Sequence, residues 1–226
     1  HLPGPAALAG AGVGRRSTAQ VWWRFGGRIR AKRAVVCRLT EVNTGDNQAV
    51  GKAIVLVGLM GTGKSSVGAK VARSIDAQFI DTDDLIAQQS GRSVREIFAQ
   101  DGEAAFRDAE VAALNKAFET VRLGNDTVIS TGGGIVLNPI NRKLIKENAR
   151  CVVWLDAPVE DLLQRTSKAS KRPLLDGDAR GALTTMAKDR FELYEDVATI
   201  RIETGHLSVA DVVLKVTNAI TAEAQS

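Results

Sequence analysis

The chain has 226 residues, 44% hydrophobic and 25% charged, which suits one well-buried domain. No apolar run nears the ~20 residues of a bilayer-crossing helix, and Cys37 and Cys151 offer neither a disulfide framework nor metal-ligand spacing, so a reducing compartment is the simplest reading. The formal charge of +4 is unevenly spread: residues 1–40 hold eight Lys or Arg and no acid, which leaves 22 basic against 26 acidic residues over 41–226 and argues against a nucleic-acid-binding surface.

The first segment, residues 1–47, shows no sustained periodicity. It is rich in Gly, Ala and Arg, and its apolar stretch Ala6–Val13 precedes the arginines, the wrong order for a secretory signal. Three readings fit: an organellar transit peptide, a disordered basic arm that stays attached, or a segment foreign to the natural protein. A single domain is expected over residues 48–226.

From Val50 onward short apolar runs alternate with helical patterns, the signature of an α/β fold with a parallel sheet. Strands are expected at Ala53–Val57, Gln78–Asp81, Thr127–Thr131, Cys151–Asp156 and Ala198–Ile202. Helices are expected after Lys64 and at Asp83–Gln89, Val94–Gln100, Glu103–Val121, Asn138–Glu147, Val159–Thr166, Arg180–Tyr194 and Val209–Ile220. In such sheets ligands bind at the carboxyl ends of the strands.

The first strand runs into Gly58-Leu59-Met60-Gly61-Thr62-Gly63-Lys64-Ser65, which fits G-x-x-x-x-G-K-[ST], the phosphate-binding loop pattern. Its glycines let backbone N–H groups curl around a phosphate, and the helix N-terminus adds positive partial charge. Lys64 would reach the β- and γ-phosphates of a nucleoside triphosphate, with the Ser65 hydroxyl on Mg²⁺. A chance glycine-rich turn would not explain the strand and helix on either side.

Phe79-Ile80-Asp81-Thr82-Asp83 ends the second strand with two carboxylates at i, i+2, a spacing that points both toward the phosphate loop. One near a metal and one near an acceptor hydroxyl would divide the labour of phosphoryl transfer; the plainer role is capping the next helix. Gly132-Gly133-Gly134 follows the third strand, and three successive glycines are best explained by a ligand lying against the main chain, with a tight turn as the alternative. Arg107, Arg165, Arg172 and Arg190 are candidate anion ligands. Arg172 sits in a polar stretch, residues 167–178, suited to a lid, and a guanidinium pairs bidentately with a carboxylate, which suits Arg107 and Arg190.

Taken together, Gly58–Ser65, Asp81-Thr82-Asp83, Asp101-Gly102-Glu103 with Phe106-Arg107, Gly132–Gly134, Arg172-Pro173-Leu174-Leu175 and Arg190 resemble the shikimate kinase family in order and spacing, over about Lys52 to Ile202. The resemblance implies a P-loop, nucleoside-monophosphate-kinase-like fold: a central parallel sheet of about five strands with helices on both faces. It also implies transfer of the ATP γ-phosphate to the 3-hydroxyl of shikimate, with Mg²⁺ as cofactor. Carried over, Gly61, Thr62, Gly63, Lys64, Ser65 and Ser66 hold the phosphates, and Ser65 and Asp81 serve the metal. Asp83 binds the shikimate hydroxyls and is the candidate general base. Arg107 and Arg190 clasp the carboxylate beside Gly132, Gly133 and Gly134; Arg172 is the lid arginine and Arg165 lies against the adenine. Phe98 and Phe106 fall where the family walls the ring, and Glu110 where it orients the arginine; helix-core packing and a solvated helix face are their plainer readings. The loop Gly205-His206-Leu207-Ser208 lacks the basic and proline residues of some relatives, and His206 reads as a surface residue.

The basic leader suits a plastid-targeted version, with Val35-Val36-Cys37-Arg38 similar to plastid processing sites; a cytoplasmic location is the alternative. Expected partners are ATP and shikimate, without nucleic acid or membrane, in a monomer or weak homodimer. A gluconate-kinase-like enzyme would share the carboxylate and hydroxyls of the acceptor. A non-catalytic relative should have lost substrate residues, yet Lys64, Asp83, Arg107, Arg172 and Arg190 are all present.

Overall fold

The computed structural model describes residues 20–25, 28–33, 51–167 and 178–224. Two strands, β1 (Gln20–Phe25) and β2 (Arg28–Arg33), pair antiparallel with Gln20 opposite Arg33. The sequence reading placed no regular element there. It passed over the β-formers Val21, Trp22, Trp23 and Phe25 followed by Gly26-Gly27, a hairpin signal.

The rest, described by itself, is an α/β unit. Its elements are β3 (Ala53–Val57), α1 (Lys64–Ser74), β4 (Gln78–Asp81), α2 (Thr82–Ser90), α3 (Val94–Gln100), α4 (Gly102–Arg122) and β5 (Thr127–Ser130). They continue with a 3₁₀ turn (Ile135–Leu137), α5 (Pro139–Asn148), β6 (Cys151–Asp156), α6 (Val159–Ser167), α7 (Ala179–Val197), β7 (Ile200–Glu203) and α8 (Val209–Ala224). The sheet order is β4-β5-β3-β6-β7, every neighbouring pair parallel.

Strand alternation sorts the core into two layers. Val55 and Val57 of β3 face a cluster built from α4, α5 and α7, including Leu114, Phe118, Ile145, Leu183 and Tyr194. Ile54 and Leu56 face the opposite cluster, where Val67 and Val71 of α1 meet Val212 and Val216 of α8. A smaller third cluster of Ile86, Ile97, Phe106 and Ala113 ties α2, α3 and α4 together.

The five expected strands are present; β5 ends at Ser130, one residue before the expected Thr131, and the last strand is shifted. The last begins at Ile200 rather than Ala198, because α7 runs on to Val197 and Ala198 is its C-terminal cap. The short α3 is held at its start by a capping box, with Ser93 and Glu96 exchanging side-chain and backbone hydrogen bonds. Among the described residues no helix is long and apolar enough to cross a membrane.

Candidate active site

The carboxyl ends of β3, β4 and β5 open into one cleft of about 520 Å³. β3 delivers the phosphate loop. Gly58, Gly61 and Gly63 take φ values of 141°, 83° and 92°, and a Cβ on Gly58 would stand 2.2 Å from the Leu155 carbonyl oxygen. A side chain is therefore blocked at Gly58 and strained at Gly61 and Gly63. Thr62 does not line the cleft; its buried hydroxyl donates to Leu59 O at 2.8 Å and ties the loop to itself. The Lys64 ammonium donates to Gly58 O and Leu59 O, both at 2.8 Å, and lines the cleft with Gly61, Gly63, Ser65 and Ser66. Gly63, with no side chain to offer, precedes α1, so no side-chain cap competes for the first N–H groups of that helix.

β4 delivers the aspartates in a way the i, i+2 argument did not foresee. The chain leaves the strand at Asp81 and enters α2 at Thr82, so strand alternation does not govern Asp83. Asp81 Oδ1 accepts from the Asp83 N–H at 3.0 Å, the capping role named above, and yet both aspartates line the cleft. Burial pushes the Asp83 carboxyl up to about 6 from its ordinary 3.8, helped by the negative charges of Asp81 and Glu110 and opposed by Lys64. Its Oδ1 is buried without a hydrogen-bond partner.

β5 delivers the glycine loop. The sequence reading weighed a ligand against a tight turn; the space a Cβ would need is already taken, by side chains at Gly132 and Gly134 and by the phosphate-loop backbone at Gly133, while all three glycines line the cleft. A Cβ on Gly132 would stand 2.8 Å from Asp83 Oδ1 and 2.9 Å from Glu110 Oε1. One on Gly134 would stand 2.4 Å from Arg107 Nη1, and one on Gly133 3.1 Å from Met60 N. The Gly132 N–H donates to the buried Thr82 hydroxyl at 3.2 Å, joining this loop to the start of α2.

Two helices complete the far wall. On α4, Arg107 donates from Nη1 to Glu110 Oε2 at 2.7 Å and from Nη2 to Glu103 Oε1 at 2.7 Å. Glu110 is fully buried rather than solvated. Burial raises its pKa while the Arg107 contact lowers it, and the net direction is upward. On α7, the buried Arg190 donates from Nη1 to Gly133 O at 3.0 Å. Phe98 and Phe106 stack at 4.6 Å between centroids and both border the cleft.

Of the other expected residues, Arg165 lies at the cleft with its Nη2 donating to Thr204 O at 2.9 Å, while Arg172 and most of the 167–178 stretch lie outside the described residues. His206 is exposed at a positive φ of 57°, with its backbone N–H donating to Asp161 Oδ2 at 2.9 Å and its ring Nδ1 4.0 Å from Asp161 Oδ1, which agrees with a surface role.

Sequence reasoning missed Tyr194, Thr82 and Arg95. The buried Tyr194 hydroxyl donates to Gly133 O at 2.5 Å, sharing that acceptor with Arg190. The i, i+4 spacing of Arg190 and Tyr194 on one helix face was the available signal. Arg95 of α3 also lines the cleft.

Comparison with known proteins agrees with this geometry. The family model described as shikimate kinase matches residues 60–221. A shikimate kinase of Marinomonas sp. (strain MWYL1) is 42% identical over 168 residues, covering 74% of this chain and 91% of that protein. One from Pelotomaculum thermopropionicum is 42% identical over 159 residues, covering 70% and 89%. Among solved structures, the shikimate kinase from Acinetobacter baumannii in complex with shikimate superposes with a TM-score of 0.71 at 35% identity, covering 76% of this chain and 94% of that one. A gluconokinase from Sinorhizobium meliloti shares the fold alone, at TM-score 0.50 and 19% identity over 78% of this chain and 95% of that one. The chain belongs to the shikimate kinase family.

Proposed function

We propose that this chain transfers the γ-phosphate of ATP to the 3-hydroxyl of shikimate, giving shikimate 3-phosphate. The observation that carries the reading is the convergence of Lys64, Asp83, Arg107 and Arg190 on one cleft. A triphosphate held by the phosphate loop at one end and a carboxylate held by two guanidiniums at the other leave the acceptor hydroxyl near Asp83. A carboxylate with a pKa of about 6 is ionised at neutral pH yet more basic than an ordinary aspartate, the balance a general base needs.

Ser65 and Asp81 offer only oxygens, a hydroxyl and a carboxylate, at the same cleft, and Asp81 Oδ2 takes no part in the helix cap. That donor set fits Mg²⁺, which keeps water and phosphate oxygens in its remaining positions and when bound neutralises phosphate charge. Arg165 supports the adenine side from the cleft rim. Arg172 is the proposed lid arginine, brought over the phosphates to stabilise transferring charge and exclude water.

The full chain in a coupled assay with ATP and Mg²⁺ tests the reading: shikimate should drive ADP release, and gluconate should not. Turnover on gluconate instead would favour the carbohydrate-kinase alternative, and ATP binding without turnover on either would favour a non-catalytic relative. The basic stretch 1–40, which holds no acid, further supports a plastid transit peptide; import of a tagged full chain into isolated plastids, with cleavage, is its test.

A further inference from the structure

Arg107 is bound on three sides, and the three differ in how easily they yield. Its Nη1 is held by Glu110, whose side chain is 0% exposed. The end of the guanidinium between Nη1 and Nη2 abuts Gly134, where a Cβ would stand 2.4 Å from Nη1 and 2.9 Å from Nη2. The remaining side, formed by Nε and Nη2, is the fork that pairs bidentately with a carboxylate. Glu103 fills it: Oε1 accepts from Nε at 3.2 Å and from Nη2 at 2.7 Å. Unlike Glu110, the Glu103 side chain is 63% exposed.

We infer that Glu103 is an internal stand-in for the acid group of the substrate, displaced when shikimate binds, so that it sets the acceptor affinity of the site. The inference rests on the functional reading above. The two carboxylates already around Arg107 exceed its single charge, so a third arrives against net repulsion unless one leaves. Glu110 is enclosed and holds the arginine in place. Glu103 can swing into water, and an exposed ion pair of this kind is cheap to break. The substrate therefore exchanges with Glu103 instead of adding to it, and Arg107 keeps its position throughout because Glu110 and Gly134 still hold it.

The test is calorimetric titration of shikimate, and separately of ATP, into the full chain and its Glu103→Gln variant. The substitution keeps the shape of the side chain and removes the charge. Shikimate should bind the variant about two- to five-fold more tightly, the range expected for losing one exposed charge competitor, while ATP binding is unchanged. In steady state the shikimate KM should fall by the same factor. A merely structural role for Glu103 predicts the opposite sign, since loosening Arg107 would weaken acceptor binding. Glu103→Ala reads in the same direction if the glutamine variant misfolds. A parent chain that takes up no shikimate overturns the functional reading and this inference together. A parent that binds shikimate, with variants that bind it equally or more weakly, overturns the displacement alone.

Discussion

Asp83 Oδ1 and Glu110 Oε1 converge, from two different helices, on the space a side chain at Gly132 would fill, and both oxygens are buried without a hydrogen-bond partner. The absence of a side chain at position 132 is what permits this approach. Gly132→Ala should therefore dislodge one or both carboxylates. A displacement of about 1 Å at a reacting group costs on the order of 10²-fold in turnover. The expected result is a loss of that size in shikimate-dependent ADP release with ATP affinity retained. Activity within a few-fold of the parent would show that the aspartate need not stand there.

Asp83 also makes stability depend on pH. Its folded value of about 6 lies above the ordinary 3.8, so the unfolded chain gives up this proton first. Below about pH 4 both states are neutral and no penalty exists. As pH rises through 4 to 6 the folded state loses up to about 3 kcal/mol relative to the unfolded one, and above 6 the loss is complete. Asp83→Asn should thus be more stable than the parent at pH 8 and equal to it near pH 4 by denaturant unfolding. Its turnover should fall by roughly two orders of magnitude or more. In the parent, kcat/KM for shikimate should rise with pH through about 6.

Tyr194→Phe removes one of the two donors to Gly133 O and leaves the ring packed at 5.6 Å on Trp154. The lost hydrogen bond should cost about 1 kcal/mol of stability. Arg190 then holds the carbonyl alone, so the shikimate KM should rise while the ATP KM stays put. Equal changes in both constants would make the hydroxyl a matter of stability only.

Ser93→Ala deletes the capping box of α3. About 1 kcal/mol should be lost, read as a fall in Tm of roughly 2–4 °C for a chain of this size. Because α3 contributes Val94, Arg95 and Phe98 to the cleft, acceptor binding should weaken with it.

Much of this was legible beforehand because the relevant signals are local. A β-branched run before a glycine-rich loop defines β3 and its turn whatever surrounds them, and Ala53–Val57, Gln78–Asp81, Val94–Gln100 and Cys151–Asp156 match their expected bounds. Asp83, Arg107 and Arg190 were nameable because charge in a motif is visible in one dimension. Their partners were not. Thr82 and Tyr194 act through single backbone groups 50 and 61 residues away, contacts that only the sheet order creates. The glycine loop was legible only in part: three small residues announce that something must come close, and only the fold reveals that Asp83, Glu110, Arg107 and the backbone at Met60 already do. The β1–β2 pair was not legible because its β-formers Val21, Trp22, Trp23 and Phe25 are interleaved with arginines and glycines that mask the alternation.

The crowding at Gly132, Gly133 and Gly134 has a practical corollary for altering what the enzyme accepts. A side chain at Gly132 or Gly134 would displace Asp83, Glu110 or Arg107, which the proposed chemistry uses, and one at Gly133 would press on the Met60 N–H, so loop substitution is a poor route to redesign. Tailoring the pocket to bulkier or differently shaped acids is better started from the opposite bank, where Val94 and Phe98 border the cleft from a short helix and pack on the cluster shared with α2 and α4.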